Sequence, residues 1–329
     1  MINTDTFSSD LRERSVRRAT KQLLITNFID TSQAHDLSEP PNCRGFGRVR
    51  HFTRTTSNGW PENTLPIKPA CAALGIEPVE RLNAQVFQNA VCNWRCWYCY
   101  VPFNLLNANP ERSAWATADE LVGWYLEQAD RPQVIDLSGG QPDLIPEWTL
   151  WMVQSLLDRG LANSTYLWID DNLSNDYFWR HLTDSEIAEI VDYPALGRVG
   201  CFKGFDESSF AFNTAAAPEL FNRQFELLAR HVRSGIDTYA YATFTSPSDA
   251  DPRSEMSRFV DRLQVISETL PLRLIPLEVS EWGPVTSRMR IRHRSAIDNQ
   301  NRAVEAWSRE LESRFSSSQR DLPINEVPR

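Results

Sequence analysis

The stretch AQVFQNAV (84–91) runs straight into CNWRCWYC (92–99). The first half is apolar and reads as a strand. The second half carries Cys92, Cys96 and Cys99 in the spacing CxxxCxxC. Half of the chain's 6 cysteines therefore fall in one short segment directly after a strand. A disulfide framework spreads its cysteines, whereas this bunching points to a metal site in a reducing compartment. Thiolates are soft ligands that suit zinc, Cu(I) or iron–sulfur clusters. A structural zinc site wants four ligands. No fourth Cys or His lies near this loop, and the nearest cysteine, Cys71, is well upstream. Three thiolates with one open position fit a [4Fe–4S] cluster whose fourth iron binds something else.

Downstream of the cysteines, strands and helices alternate. PQVIDLSGG (132–140), STYLWIDD (164–171), GRVGCFKG (197–204), IDTYAYATFT (236–245) and PLRLIPLEV (271–279) read as further strands. Between them lie helical patterns at 117–129 (capped by Thr117), 146–160, 175–191, 217–235 (stopped by Gly235) and 251–270, with a last helix at 296–314. This alternation predicts an α/β fold with a parallel sheet, wound by right-handed crossovers into an open sheet or an incomplete barrel. Upstream, residues 1–20 are polar, and 40–82 are rich in Pro, Gly and Arg, with a strand at 46–53. The expected organisation is an N-terminal extension (1–82), a core (83–281), and a C-terminal helix with a loose tail (282–329).

CxxxCxxC with an aromatic just before the last cysteine resembles the signature of the radical S-adenosylmethionine (radical SAM) enzymes. The resemblance covers roughly residues 84–281 and implies a partial (β/α)6 barrel of parallel strands. It implies one [4Fe–4S] cluster on Cys92, Cys96 and Cys99, with S-adenosyl-L-methionine (SAM) chelating the fourth iron. It further implies reductive cleavage of SAM to a 5′-deoxyadenosyl radical that abstracts hydrogen from a substrate. An electron donor such as flavodoxin or ferredoxin is implied as partner. SGGQP (138–142) resembles the GGE motif that holds the SAM amino group, so Gly139, Gly140 and Gln141 become cofactor-binding candidates. Gln141 stands where the family has Glu. Tyr98 matches the aromatic beside the adenine. FKGFDESSF (202–210) resembles the glycyl-radical-activating branch, in which Lys203 matches a lysine near SAM, while Cys201 replaces that branch's Asp. A glycyl-radical activase acting on a protein backbone is therefore one alternative.

Strand alternation predicts a polar, wet lumen. Tyr166, Trp168, Asp170, Cys201, Lys203, Tyr239, Tyr241, Thr243 and Glu278 should point inward. Leu167, Ile169, Ala242, Phe244, Ile275 and Leu277 should point outward. Active-site loops are expected at the C-terminal strand ends, by analogy with full barrels. Asp170, Asn172 and Ser174 are candidates for contacts to SAM there. Cys201, Lys203 and Tyr241 are candidates for the catalytic chemistry, with Cys201 as a hydrogen-atom donor. Trp94 and Trp97 should shield the cluster. His181 and His231 read as structural, and Cys43 and Cys71 have no ligand spacing.

Two arginine stretches flank the core. RGFGRVRHFTR holds Arg44, Arg48, Arg50 and Arg54. RMRIRHR holds Arg288, Arg290, Arg292 and Arg294, which would share one face of a strand. Both at the barrel mouth would imply an anionic substrate such as a nucleotide, phosphate or carboxylated metabolite.

Over 329 residues the chain is 41% hydrophobic, which excludes a disordered protein. No apolar run reaches membrane-spanning length, and no secretory signal is visible, so the expected location is cytoplasmic with no membrane partner. The net charge of -9 disfavours non-specific nucleic-acid coating and gives a nucleic-acid partner no support. A non-catalytic zinc-binding interaction protein is the alternative of another class.

Overall fold

The computed structural model describes residues 2–35, 39–281 and 283–329, without the side chains of Ser32 and His35. Strands β1 (Val16–Arg17), β2 (Gln22–Thr26) and β5 (Ser113–Thr117) form a small antiparallel sheet. The large sheet begins with β3 (Gly47–Thr53), which pairs antiparallel with β4 (Arg81–Phe87). Then follow β6 (Val134–Leu137), β7 (Tyr166–Asp171), β8 (Leu196–Phe202), β9 (Thr238–Thr243) and β10 (Leu274–Leu277). The six strands from β4 to β10 are parallel and neighbour one another in chain order. Helices cover the outer face, and the sheet curls into a half-barrel. The expected partial (β/α)6 barrel is present, with β3 added at one edge.

Local chemistry sets the punctuation. Thr117 and Glu120 form a reciprocal capping box at the start of Ala118–Leu126. Gly235, at φ 90°, ends the helix Leu220–Ser234 in the left-handed conformation that glycine adopts without strain. The expected helix at 175–191 is split into Tyr177–His181 and Asp184–Val191, because Thr183 caps a new start. β7, β8 and β9 are covered on both faces, so they read as nearly unbroken buried runs.

The lower half of the barrel is packed. Tyr166, Trp168 and Tyr239 point inward, but they join Leu65, Ile67 and Ala70 in one apolar cluster. The helix Ile67–Leu74 lies against β7 and β8 there and closes the floor. Tyr239 is fully buried and spends its hydroxyl on Asp237 Oδ2 at 2.6 Å, so it belongs to this core and not to a wet lumen. Trp60 Nε1 donates to Pro276 O on β10 at 3.0 Å, tying the segment after β3 to the far edge of the sheet.

Ile275 and Leu277 correct an expectation. They pair with Tyr241 and Thr243, so they share the inward face. The alternation is kept across Pro276, but with the opposite phase to the one expected. The RMRIRHR stretch is not a strand either; it ends the helix Gly283–Arg288 and begins the helix Ile291–Arg314. The tail is docked where a loose one was expected. Ile324 and Val327 are buried, and Arg273 Nη1 donates to Val327 O at 2.7 Å. Among the described residues no helix is long and apolar enough to cross a membrane.

Candidate functional site

The cysteine loop leaves the end of β4 and is held from three sides. Trp94 is buried, packs edge-on to Phe210 and donates from Nε1 to Thr4 Oγ1 at 3.1 Å. Trp97 donates from Nε1 to Asn213 Oδ1 at 2.9 Å, and its ring stacks on His293 at 4.6 Å. Arg288 donates to the carbonyls of Cys99 and Val101. Thus the N-terminal helix Thr4–Ser15, the helix Glu207–Thr214 and the C-terminal helices brace one loop. The two tryptophans fix and shield it. Cys92, Cys96 and Cys99 are each partly exposed and line one cavity of about 250 Å³ at the C-terminal end of the strands.

The glycine turn after β6 forms the facing wall. Gly139 and Gly140 have φ of +77° and +72°. A Cβ on Gly140 would come within 1.9 Å of Asn89 Oδ1 and 2.6 Å of the Asn89 and Val91 carbonyls. Only glycine fits both the conformation and the space. Gln141 N donates to Val91 O at 2.7 Å, and Asn89 Nδ2 donates to Gln141 O at 2.7 Å. The turn is thereby braced on the segment that leads into Cys92.

Gln141 contributes to the cavity wall, yet its amide is turned away from it. The residue is 1% exposed. Its Nε2 donates to Asp171 Oδ1, and its Oε1 accepts from Asn172 N at 2.9 Å.

Most sequence candidates converge on this cavity: Tyr98, Gly139, Gly140, Gln141, Asp170, Asn172, Cys201, Lys203, Tyr241, Thr243 and Glu278 all line it with the three cysteines. Ser174 does not. It is fully buried behind the loop and accepts from Asn93 Nδ2 at 2.7 Å. Tyr241 Oη donates to Leu65 O at 3.0 Å and lies 3.1 Å from Asn63 Oδ1, so its hydroxyl is committed to the floor segment. Burial pushes the Cys201 thiol up to about 12, which keeps it a neutral S–H. Lys203 is fixed through its backbone, where N donates to Gln224 Oε1 and O accepts from Asn213 Nδ2. Burial works against its charge, but Cys201, Tyr98, Cys96 and Cys92 together hold its pKa above the usual lysine value. Asp170 accepts from Ser138 Oγ at 2.7 Å. Asp170 Oδ1 and Asn172 Oδ1 are buried without a partner.

No protein-family model and no curated protein matches the chain. Among solved structures, it is similar to Streptococcus suis SuiB bound to S-adenosylmethionine, at 16% identity and a TM-score of 0.44, over 68% of this chain and 46% of that one. SuiB crystallised without a stated ligand gives 16% identity and a TM-score of 0.44 over 69% and 46%. SuiB bound to the precursor peptide SuiA gives 14% and 0.38 over 55% and 36%. The matched region spans less than half the length of those proteins.

Burial pushes Cys96 to about 12 and also raises Cys99, so both thiols are protonated at neutral pH. Among the described residues, Asp143, Asp171 and His231 have ligand atoms all within 4.8 Å of one another. The Asp143, Asp171 and His231 group holds no vacancy for a cation. Arg198 Nη1 fills it at 2.8 Å from Asp143 Oδ2 and 3.4 Å from Asp171 Oδ2. His231 is structural, as expected, and burial drives its pKa well below the usual value.

Sequence reasoning missed Asn213 and Asn93, two buried amides that pin the loop and whose type gives no local signal. It read Arg48 and Arg50 only as part of an arginine stretch flanking the core. Both sit on the inward face of β3, opposite Val86 and Ala84.

Proposed function

We propose that the protein is a radical SAM enzyme. In this reading Cys92, Cys96 and Cys99 hold three irons of a [4Fe–4S] cluster, and SAM fills the fourth corner. The supporting observation is that the three thiols share a cavity with a glycine turn and with Asn172. When bound and reduced, this group supplies the 5′-deoxyadenosyl radical that removes a hydrogen atom from substrate.

The chain's own residues position and exclude. Backbone carbonyls of the 138–140 turn and the unpartnered Asn172 Oδ1 accept hydrogen bonds from the SAM ammonium. Tyr98 lies against the adenine. Trp94 and Trp97 keep water and oxygen from the cysteine loop. Cys201, a neutral thiol on the cavity wall, is placed to return a hydrogen atom. Arg50 and Lys203, the two cations lining the cavity, favour an anionic substrate. A one-electron donor of the flavodoxin or ferredoxin kind completes the system.

Anaerobic reconstitution with iron and sulfide tests this reading. The expected product is a brown protein, bleached by dithionite, that makes 5′-deoxyadenosine from SAM. A colourless zinc protein that makes none overturns it.

A further inference from the structure

Arg50 enters the cavity from β3, the one antiparallel strand of the large sheet. Its guanidinium is held from one side only. Nη1 donates to Asp136 Oδ2 at 3.1 Å and to Ser138 Oγ at 3.4 Å, and lies 3.8 Å from Asp170 Oδ2. The Phe52 ring lies 4.2 Å from the same guanidinium. Nη2 and Nε have no partner among the described residues, and the side chain is 27% exposed to the cavity. A guanidinium fixed at one nitrogen, with its other edge open, is preorganised to grip an oxyanion with two parallel hydrogen bonds.

We propose that this open edge of Arg50 is the anchor for a carboxylate group of the substrate. The inference rests on the radical SAM reading for calling the ligand a substrate, but the anion site stands on its own geometry. Charge favours a carboxylate over a phosphate. The cavity's two cations are Arg50 and Lys203, and it is also lined by Asp170, by Asp171, which is paired with Arg198, and by Glu278, which is exposed at the rim. Asp136 is fully buried, and burial first, then Asp170, raises its pKa to about 7, so it balances only part of a charge at neutrality. A monoanion adds less negative charge beside these carboxylates than a dianion does. A dianionic phosphate on Arg50 would also face the Asp170 carboxylate.

The test uses the reconstituted holoenzyme with saturating SAM. Sodium acetate and inorganic phosphate are titrated separately at constant ionic strength set with chloride, and binding is followed by calorimetry and thermal shift. Acetate should bind the wild type more tightly than phosphate does, and Arg50→Gln should weaken acetate at least tenfold. Arg50→Lys, which keeps the charge and loses the fork, should fall between them. Arg44→Gln, at an exposed ion pair with Glu127, serves as the surface control. Equal acetate affinity in wild type and Arg50→Gln overturns the proposal, as does tighter binding of phosphate. Loss of SAM affinity together with acetate affinity in Arg50→Lys also overturns it, because the residue would then be serving the cofactor. If the chain takes up no iron, the same titration on the metal-free protein tests the anion site separately from the radical reading.

Discussion

Gln141 donates from Nε2 to Asp171 Oδ1 at 2.7 Å, and Asp171 Oδ2 meanwhile faces Arg198 and His231. The negative charge in this corner therefore already belongs to Asp171, and a neutral amide is the side chain that can bond to it. A glutamate at 141 would set two buried carboxylates against each other. Gln141→Glu should lose on the order of 3 kcal/mol of stability and weaken SAM binding. Adding Asp171→Asn should restore much of both, since amide and carboxylate then trade places. Thermal unfolding and calorimetric SAM titration of both variants check this; a double variant no better than the single one contradicts it.

The cysteines divide into two groups. Replacing Cys92, Cys96 or Cys99 with Ala should remove most of the iron taken up on reconstitution and all 5′-deoxyadenosine formation. Cys201→Ala should leave iron content unchanged, because that thiol is buried on β8, outside the cysteine loop, and should alter only the fate of the substrate. Iron and sulfide assays beside product analysis distinguish the two groups.

Tyr241 lines the cavity, yet its hydroxyl holds the floor. Tyr241→Phe should strand the Leu65 carbonyl and cost about 1–2 kcal/mol of stability. SAM affinity should stay near that of the wild type. A large loss of turnover with unchanged stability would instead give the hydroxyl a chemical role.

Asp136 makes stability depend on pH in an unusual direction. Burial, then the neighbouring Asp170, raises its folded pKa to about 7, against the attraction of Arg50 and Arg48. The folded chain therefore binds a proton that the unfolded chain has released between about pH 4 and 7. Its contribution falls as pH rises through that window, by up to about 1.4 kcal/mol per unit. Asp136→Asn should flatten this part of the profile, seen as thermal midpoints measured at closely spaced pH values.

The barrel was legible because its signals are local and repeated. Each strand of the core carries its own apolar run, and Thr117 and Gly235 mark helix ends by chemistry that acts within one turn. The cysteine spacing and the Gly139–Gly140 pair were equally readable, since a left-handed turn pressed against backbone tolerates no other residue. What stayed hidden depends on distant partners. Ser174 looks like a polar loop residue until Asn93 comes to bond it from another loop. Arg50 looks like one arginine among several until β3 turns it inward. Leu277 obeys the period-two rule, but a four-residue strand does not by itself show which of its two faces is inward.

The ring stack of Trp97 on His293 joins an early part of the chain to one made near its end. During synthesis the thiols leave the ribosome long before the helices that cover them. A nascent or truncated chain would show bare sulfurs to whatever metal or oxidant is at hand. In the radical SAM reading, loading with iron requires the helices Gly283–Arg288 and Ile291–Arg314 to be in place, and their removal should yield a protein that folds its barrel yet fails to keep its metal.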